Sequence, residues 1–348
     1  MSSSSYAATA ARMPVLHREI ADAPAAHRVL TGERPTGPLH LGHLVGSIVE
    51  RVRLQRAGVE VVVILADYQV ITDRESAGRV REHVYGAVLD QLAAGLDPDT
   101  TTVFTHSAVP ALNQLMLPFL SLVTEAELHR NPTVKAEHAA SGRALSGLLL
   151  TYPVHQAADI LSCRADLVPV GKDNLPHVEL ARVIARRFAD RYAPVFTPPE
   201  PMVTDAPEIP GLDGRKMSKS YDNAIALGMS ADETAALIRR TRTDSERRIT
   251  FDPEHRPGVA GLLSTAALCL GRDPHELADE IGDEGAGRLK RLTTDAVNTH
   301  LAGHRARRAE LAREPGLVAD VLRRGNARAN ALAEATLDEV RGAMGMRY

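Results

Sequence analysis

Short apolar runs alternating with helical periods predict an α/β chain built on a doubly wound parallel sheet. A change of pattern beyond Ser230 predicts an all-helical C-terminal domain. Two observations decide the first half. Val61–Leu65 is a continuous, mostly β-branched apolar run, the composition of a strand covered on both faces. It is flanked by two helical stripes, Leu44, Val45, Ile48, Val49 and Val52 before it, and Val80, Val84, Val88 and Leu92 after it.

In chain order, residues 1–25 are Ser/Ala-rich and lack the apolar core of a signal peptide, so a disordered leader is expected. Arg28–Thr31 reads as a short strand that runs into the turn Gly32-Glu33-Arg34-Pro35-Thr36-Gly37. The first helix follows and ends at Gly58, and Thr101–Thr105 is a third strand after the second helix. This strand–helix order is that of a Rossmann-type sheet. Residues 111–163 read as helical, with a polar insertion around Arg130–Arg143. Leu167–Val170 is a further strand, Val178–Arg187 a helix, and Pro198–Pro210 a proline-rich linker. The expected division is a catalytic domain over 26–222 and a helical domain over 223–348, with almost entirely helical periods from 231 onward.

Composition narrows the function. The chain has 348 residues, 44% hydrophobic and 24% charged, with a net charge of −3, so any nucleic-acid surface must be a local patch. Arginines cluster in the second half: Arg239, Arg240, Arg242, Arg247 and Arg248, then Arg305, Arg307 and Arg308, then Arg323, Arg324 and Arg328. Each cluster is either a solvated helix surface balanced by acids or part of an RNA-contacting face. Two distant cysteines, with no CxxC pair, support neither a disulfide framework nor a cysteine zinc site, and suit a reducing, cytoplasmic setting. No apolar run approaches the roughly 18 residues of a membrane span.

Two segments carry chemistry. Pro35-Thr36-Gly37-Pro38-Leu39-His40-Leu41-Gly42-His43 places two histidines at a glycine-containing strand-to-helix turn. His40 and His43 are three residues apart, so they share one face of the first helical turn. The helix N-terminus offers N–H groups and a partial positive charge, which suits phosphate. No Gly-Lys-Ser/Thr follows, so this is not a P-loop, and it is not a GxGxxG fingerprint. The second segment is Lys216-Met217-Ser218-Lys219-Ser220, which holds two of the chain's five lysines. Glycines 211 and 214 lie just upstream. Such a loop can bring two ammonium groups to a triphosphate, where transfer chemistry needs positioning and charge neutralisation.

Together these segments resemble the HIGH and KMSKS signatures of class I aminoacyl-tRNA synthetases. Further stretches agree in order: Leu149-Leu150-Thr151-Tyr152-Pro153, Gln156-Ala157-Ala158-Asp159-Ile160-Leu161, and Val168-Pro169-Val170-Gly171-Lys172-Asp173-Asn174. These look like the tryptophanyl-tRNA synthetase family, over roughly residues 27–348. The resemblance implies that the carboxylate of L-tryptophan attacks the α-phosphorus of Mg-ATP. Pyrophosphate leaves, and a ribose hydroxyl of tRNA(Trp) then takes the aminoacyl group. The Mg²⁺ is held by the ATP phosphates rather than by a protein metal site, and a homodimer is implied.

Carried over by position, the resemblance gives catalytic roles to His40, His43, Lys216, Lys219 and Lys135. It places Arg34, Pro35, Thr36, Gly42, Gly171, Lys172, Asp173, Ile209, Met217, Ser218 and Ser220 at ATP, with Gly171 and Asp173 in the segment that holds the ribose. Tryptophan would meet Asp159, Gln156, Tyr152, Gln69, Val168, Val170 and Asn174. Asp159 would accept the indole N–H and Tyr152 would meet the amino group. Val168 and Val170 would flank the ring, a role compatible with ordinary strand core. An aspartate between Ala158 and Ile160 in an apolar helix favours a functional group independently of the resemblance.

Two positions depart from the family's common form. Arg34 replaces a neutral amide, and Gln69 stands where a common form has histidine beside the indole pocket. The second suggests an auxiliary, inhibitor-tolerant form. The absence of tryptophan from the chain fits synthesis under tryptophan scarcity, and equally a general shortage of aromatics at 3%. The alternatives are a tyrosine-specific enzyme of the same fold and a synthetase-like protein that only binds.

Overall fold

In the computed structural model, residues 3–72, 77–141, 144–171, 174–203, 209–215, 217, 221 and 223–348 are described. The strands are β1 (Arg28–Glu33), β2 (Glu60–Leu65), β3 (Thr102–Thr105), β4 (Leu167–Val170) and β5 (Glu200–Val203). They form one parallel sheet in the order β3-β2-β1-β4-β5, with Val29 opposite both Val61 and Leu167. The order reverses between β1 and β4, where a doubly wound sheet opens its crevice. Because successive side chains alternate across a strand, the sheet divides two cores. Val29, Val61, Val63, Leu65, Val103 and Leu167 face one. Leu30, Val62, Ile64, Phe104, Val168 and Val170 face the other.

The helices of the sheet half are α1 (Ser3–Asp22), α2 (Leu41–His43), α3 (Val49–Arg56), α4 (Val80–Ala93), α5 (Pro110–Leu120), α6 (Glu125–Arg130), α7 (Pro132–Ser141), α8 (Gly147–Ser162) and α9 (Leu175–Arg191). Between α2 and α3 the helix makes a π-helical turn, Leu44–Ile48. Such turns displace side chains from the regular helical stripe, often beside functional sites. Then come α10 (Ala231–Arg240), α11 (Pro257–Leu270), α12 (Pro274–Ile281), α13 (Ala286–Leu311) and α14 (Leu317–Ala343). The start of this series is set by Ser230, whose hydroxyl accepts from the Glu233 N–H at 3.2 Å while Glu233 accepts from the Ser230 N–H at 2.8 Å. No helix among the described residues is long and apolar enough to cross a membrane.

The expected disordered leader is corrected: most of it is α1. Met13, Leu16 and Ile20 repeat at helical spacing and are buried in the same core as Met202 and Val203 of β5. Arg12 reaches Glu200 at 3.3 Å, so α1 covers the outer edge of the sheet.

The opposite edge, β3, is covered by the far end of the chain. Gly325 of α14 lies so close that a Cβ there would sit 1.8 Å from the Val103 carbonyl oxygen. Asn326 accepts from the Thr105 N–H at 3.1 Å, and Ala329, Ala333, Leu337 and Val340 join the core on that face. Several arginines read as RNA candidates are spent on this docking. Arg328 donates to the carbonyls of Pro98, Asp99 and Thr101, and Arg324 pairs with Asp99. On α13, Arg308 donates to buried Asp90 of α4 at 2.6 Å, and Arg305 donates to Asn298 and Thr234.

Candidate active site

A cavity of about 450 Å³ opens at the reversal between β1 and β4. Its walls come from β1 and Arg34, the C-terminal ends of β2 and β4, the π-helical turn (Gly46, Ser47), α7 and α8. Of the residues expected to bind substrate, Arg34, Gln69, Tyr152, Gln156, Asp159, Val168, Val170, Gly171 and Asn174 line it. Pro35, Thr36, His40, Gly42, His43, Lys135, Ile209 and Met217 are not in its wall. Lys172, Asp173, Lys216, Ser218, Lys219 and Ser220 lie outside the described residues. Lys135 is exposed on α7, two residues from the wall-forming Thr133 and Glu137.

The histidine turn adjoins the cavity. The His40 N–H donates to His43 Nδ1 at 3.2 Å, and the two rings stand 3.8 Å apart, so each histidine orients the other at the helix start. The turn is sewn to the segment beyond the lysine loop. Leu41 N–H donates to the Ile225 carbonyl, Leu227 N–H donates to the Leu39 carbonyl, each at 2.9 Å, and His40 bridges antiparallel to Ala226. Met217, the described residue of the lysine pentapeptide, is buried with its sulfur 3.5 Å from where a Cβ on Gly42 would stand. The two motifs therefore meet, and a side chain at position 42 would also come within 3.0 Å of the His40 ring.

The stems of the lysine loop are fixed. Gly211 packs against Asn223 so closely that a Cβ would lie 2.2 Å from its Nδ2. Asn223 donates to Asp213 Oδ1 at 2.7 Å, and Leu212 N–H donates to the Asn223 carbonyl at 3.0 Å. Burial opposes the Asp213 charge, but bonds from Asn223 and Arg215 hold its carboxyl below the usual range. The Arg215 guanidinium also covers the Tyr221 ring at 4.3 Å.

Sequence reasoning missed the polar frame of the cavity. Arg51 is 2% exposed and donates to Glu33 at 2.7 Å, Thr31 at 3.0 Å and Gln91 at 3.1 Å. Ser47 also donates to Glu33, and His43 Nε2 lies 3.8 Å from the same carboxylate. Arg51 reads as a surface residue in the run Arg51-Val52-Arg53; its register with Leu54 and Ile48 was the available signal. At the mouth, Arg34 lies 3.7 Å from Glu137. Burial raises the Glu137 pKa, and Arg34 opposes that shift.

On the far wall, α8 carries Tyr152, Gln156 and Asp159 along one face. The Tyr152 hydroxyl is 3.3 Å from His177 Nε2. Asp159 is 3% exposed, and its Oδ1 is 2.9 Å from His106 Nε2, out of line for a hydrogen bond. His106, His155 and Asp159 bring three ligating atoms within 4.8 Å of one another. Their use is internal, since His155 Nε2 faces Asn113 Oδ1 at 3.0 Å and His106 Nε2 contacts Asp159 directly. His106 carried no sequence signal, being a single histidine in ordinary surroundings.

The buried Asp159 carboxylate thus lies in the cavity wall, and the histidine turn, joined to the segment beyond the lysine loop, lies beside it. The family model described as tRNA synthetases class I (W and Y) matches residues 24–302. The chain is 38% identical to the tryptophan–tRNA ligase of Lactococcus lactis over 334 residues, 92% of this chain and 98% of that one. It is 40% identical to the corresponding ligase of Treponema pallidum, covering 92% of this chain and 97% of that one. Among solved structures, it resembles Campylobacter jejuni tryptophanyl-tRNA synthetase complexed with ADP and tryptophan. The TM-score is 0.80 at 30% identity, over 91% of this chain and 99% of that one. By family match, sequence and fold together, the chain belongs to the class I tRNA synthetases of the tryptophan and tyrosine group.

Proposed function

We infer that the chain is an ATP-dependent tryptophan–tRNA ligase, which activates L-tryptophan and esterifies it to the terminal adenosine of tRNA(Trp). The observation that carries the choice of amino acid is Asp159, a carboxylate 3% exposed in the wall of the cavity at the sheet's reversal. A buried acceptor rewards a ring that donates an N–H and penalises one that does not. Tyr152 and Gln156, on the same helical face, receive the amino group end of the substrate. Val168, Val170, Gln69 and Asn174 close around the ring.

On the nucleotide side, His40, Gly42 and His43 hold phosphate oxygens at the N-terminus of α2. Lys216 and Lys219, with Lys135, neutralise the charge that develops on pyrophosphate as it leaves. Gly171 and Asp173 take the ribose. Arg34, Pro35, Thr36, Lys172, Ile209, Met217, Ser218 and Ser220 complete the ATP site. The Glu33 carboxylate beside the histidine turn is already engaged by Arg51 and Ser47, which suits a Mg²⁺ held by the ATP phosphates. The enzyme supplies no nucleophile: the substrate carboxylate attacks in line, and positioning and charge do the rest.

The helical part, 223–348, takes the anticodon arm of the tRNA. A cytoplasmic homodimer, with one tRNA bridging two subunits, completes the reading. ATP–pyrophosphate exchange with each amino acid is the test. Exchange with tryptophan and not tyrosine is expected; exchange with tyrosine, or none at all, would overturn the inference.

A further inference from the structure

Behind Asp159 lies a group for which the reaction above has no use. Asp159 lines the cavity, yet its Oδ1 is fully buried and 2.9 Å from Nε2 of His106. His106 is 0% exposed and forms no part of the cavity wall. It sits in the 3₁₀ turn His106–Ala108 at the end of β3, so the sheet presents it to α8 from behind.

Among the described residues, the titratable groups found against that ring come from two elements. Asp159 and His155 come from α8, with the His155 ring at 4.7 Å. Asp67 and Tyr68 come from the turn after β2, with the Tyr68 ring stacked at 6.3 Å. Burial lowers the His155 pKa, and Asn113 occupies its Nε2. Burial also disfavours the His106 proton, but the charges of Asp159 and then Asp67 outweigh it and raise its pKa.

A lone aspartate in an apolar wall has two weaknesses. It can rotate, offering either oxygen in any direction. It can also take up a proton, as buried carboxyls without a countercharge do, and so become a donor. A ring nitrogen held 2.9 Å from one oxygen opposes both. We propose that His106 is the positioning residue of the amino-acid subsite: it holds Oδ1 of Asp159 and leaves the other oxygen toward the cavity as a charged acceptor. By this it sets the preference for a ring bearing an N–H over one of equal shape without it. The proposal rests on the reading of Asp159 as the acceptor of the indole N–H.

The test is ATP–pyrophosphate exchange with L-tryptophan and with β-(3-benzothienyl)alanine, which keeps the ring shape but has sulfur in place of N–H. His106→Leu is expected to lower the tryptophan-over-isostere ratio of kcat/KM by roughly tenfold or more. The loss should fall on KM for tryptophan, with KM for ATP unchanged. His106→Gln, which can place an N–H where Nε2 stood, should recover most of the ratio. His106→Asn, too short to reach Oδ1, should not, and it serves the same purpose if the leucine variant does not fold. Equal losses for both substrates, or no difference between the Gln and Asn variants, would reduce His106 to a structural residue and overturn the proposal. Asp159→Asn separates the layers. If it leaves the ratio unchanged, the reading of the subsite itself fails. If it collapses the ratio while His106→Leu does not, only the role of His106 falls.

Discussion

The two sides of the site are held by different means. The histidine turn beside the cavity, the side proposed for the nucleotide, is sewn from distant chain segments by backbone hydrogen bonds: Leu41 to Ile225, Leu39 to Leu227, with Met217 laid over Gly42. The side proposed for the amino acid is formed by α8, whose polar side chains are matched to neighbours: Asp159 to His106, His155 to Asn113, Tyr152 to His177. The contrast fits the tasks proposed for them. Charge that must meet a triphosphate late is best carried on a loop with fixed stems. Discrimination between similar rings needs acceptors that cannot move, because a site that adapts to the wrong ring loses its selectivity.

The largest break in that comparison should come from the loop. Lys216→Ala combined with Lys219→Ala is expected to lower ATP–pyrophosphate exchange by about a thousandfold or more. Tryptophan binding, measured by calorimetry, should stay within about twofold. Coupled loss of both would show that the two sides are not separable. Asp159→Asn is the mirror experiment: tryptophan affinity should fall by about a hundredfold while ATP binding is kept.

Glu33→Gln attacks the frame between the two sides. It leaves the Arg51 guanidinium buried without its carboxylate, and denaturant unfolding should show a loss of about 3–5 kcal/mol. A loss below about 1 kcal/mol would mean that Thr31, Gln91 and the Gly32 carbonyl suffice for Arg51. The smallest effect is expected from Gln69→His in the cavity wall. It should change the inhibition constants of indole-bearing inhibitors severalfold with little effect on exchange; unchanged constants would remove Gln69 from inhibitor recognition.

The difference between the two sides also explains what could be read beforehand. The histidine turn and the lysine pentapeptide are runs of consecutive residues, so their chemistry was visible without a structure. Asp159 was legible because a carboxylate flanked by Ala158 and Ile160 breaks an apolar helix. Its partner was not, since His106 reaches it only through the end of β3. Arg51 was hidden for a similar reason: its partners Thr31 and Gln91 lie on other elements. The sheet and its crossovers followed from apolar runs such as Val61–Leu65. Helix α1 did not, because Pro14 and many alanines and serines masked the stripe Met13, Leu16 and Ile20.

The docking of α14 on β3 has a consequence for synthesis. An edge strand with unpaired backbone groups is an invitation to pair with another chain. Here the cover for β3 is encoded in residues 317–343, far downstream of β3 in the order of synthesis. A nascent chain can assemble the whole sheet and its cavity while that edge is still bare. The interval between the emergence of β3 and that of α14 is thus a period of exposure to aggregation, and α14 is the segment that ends it.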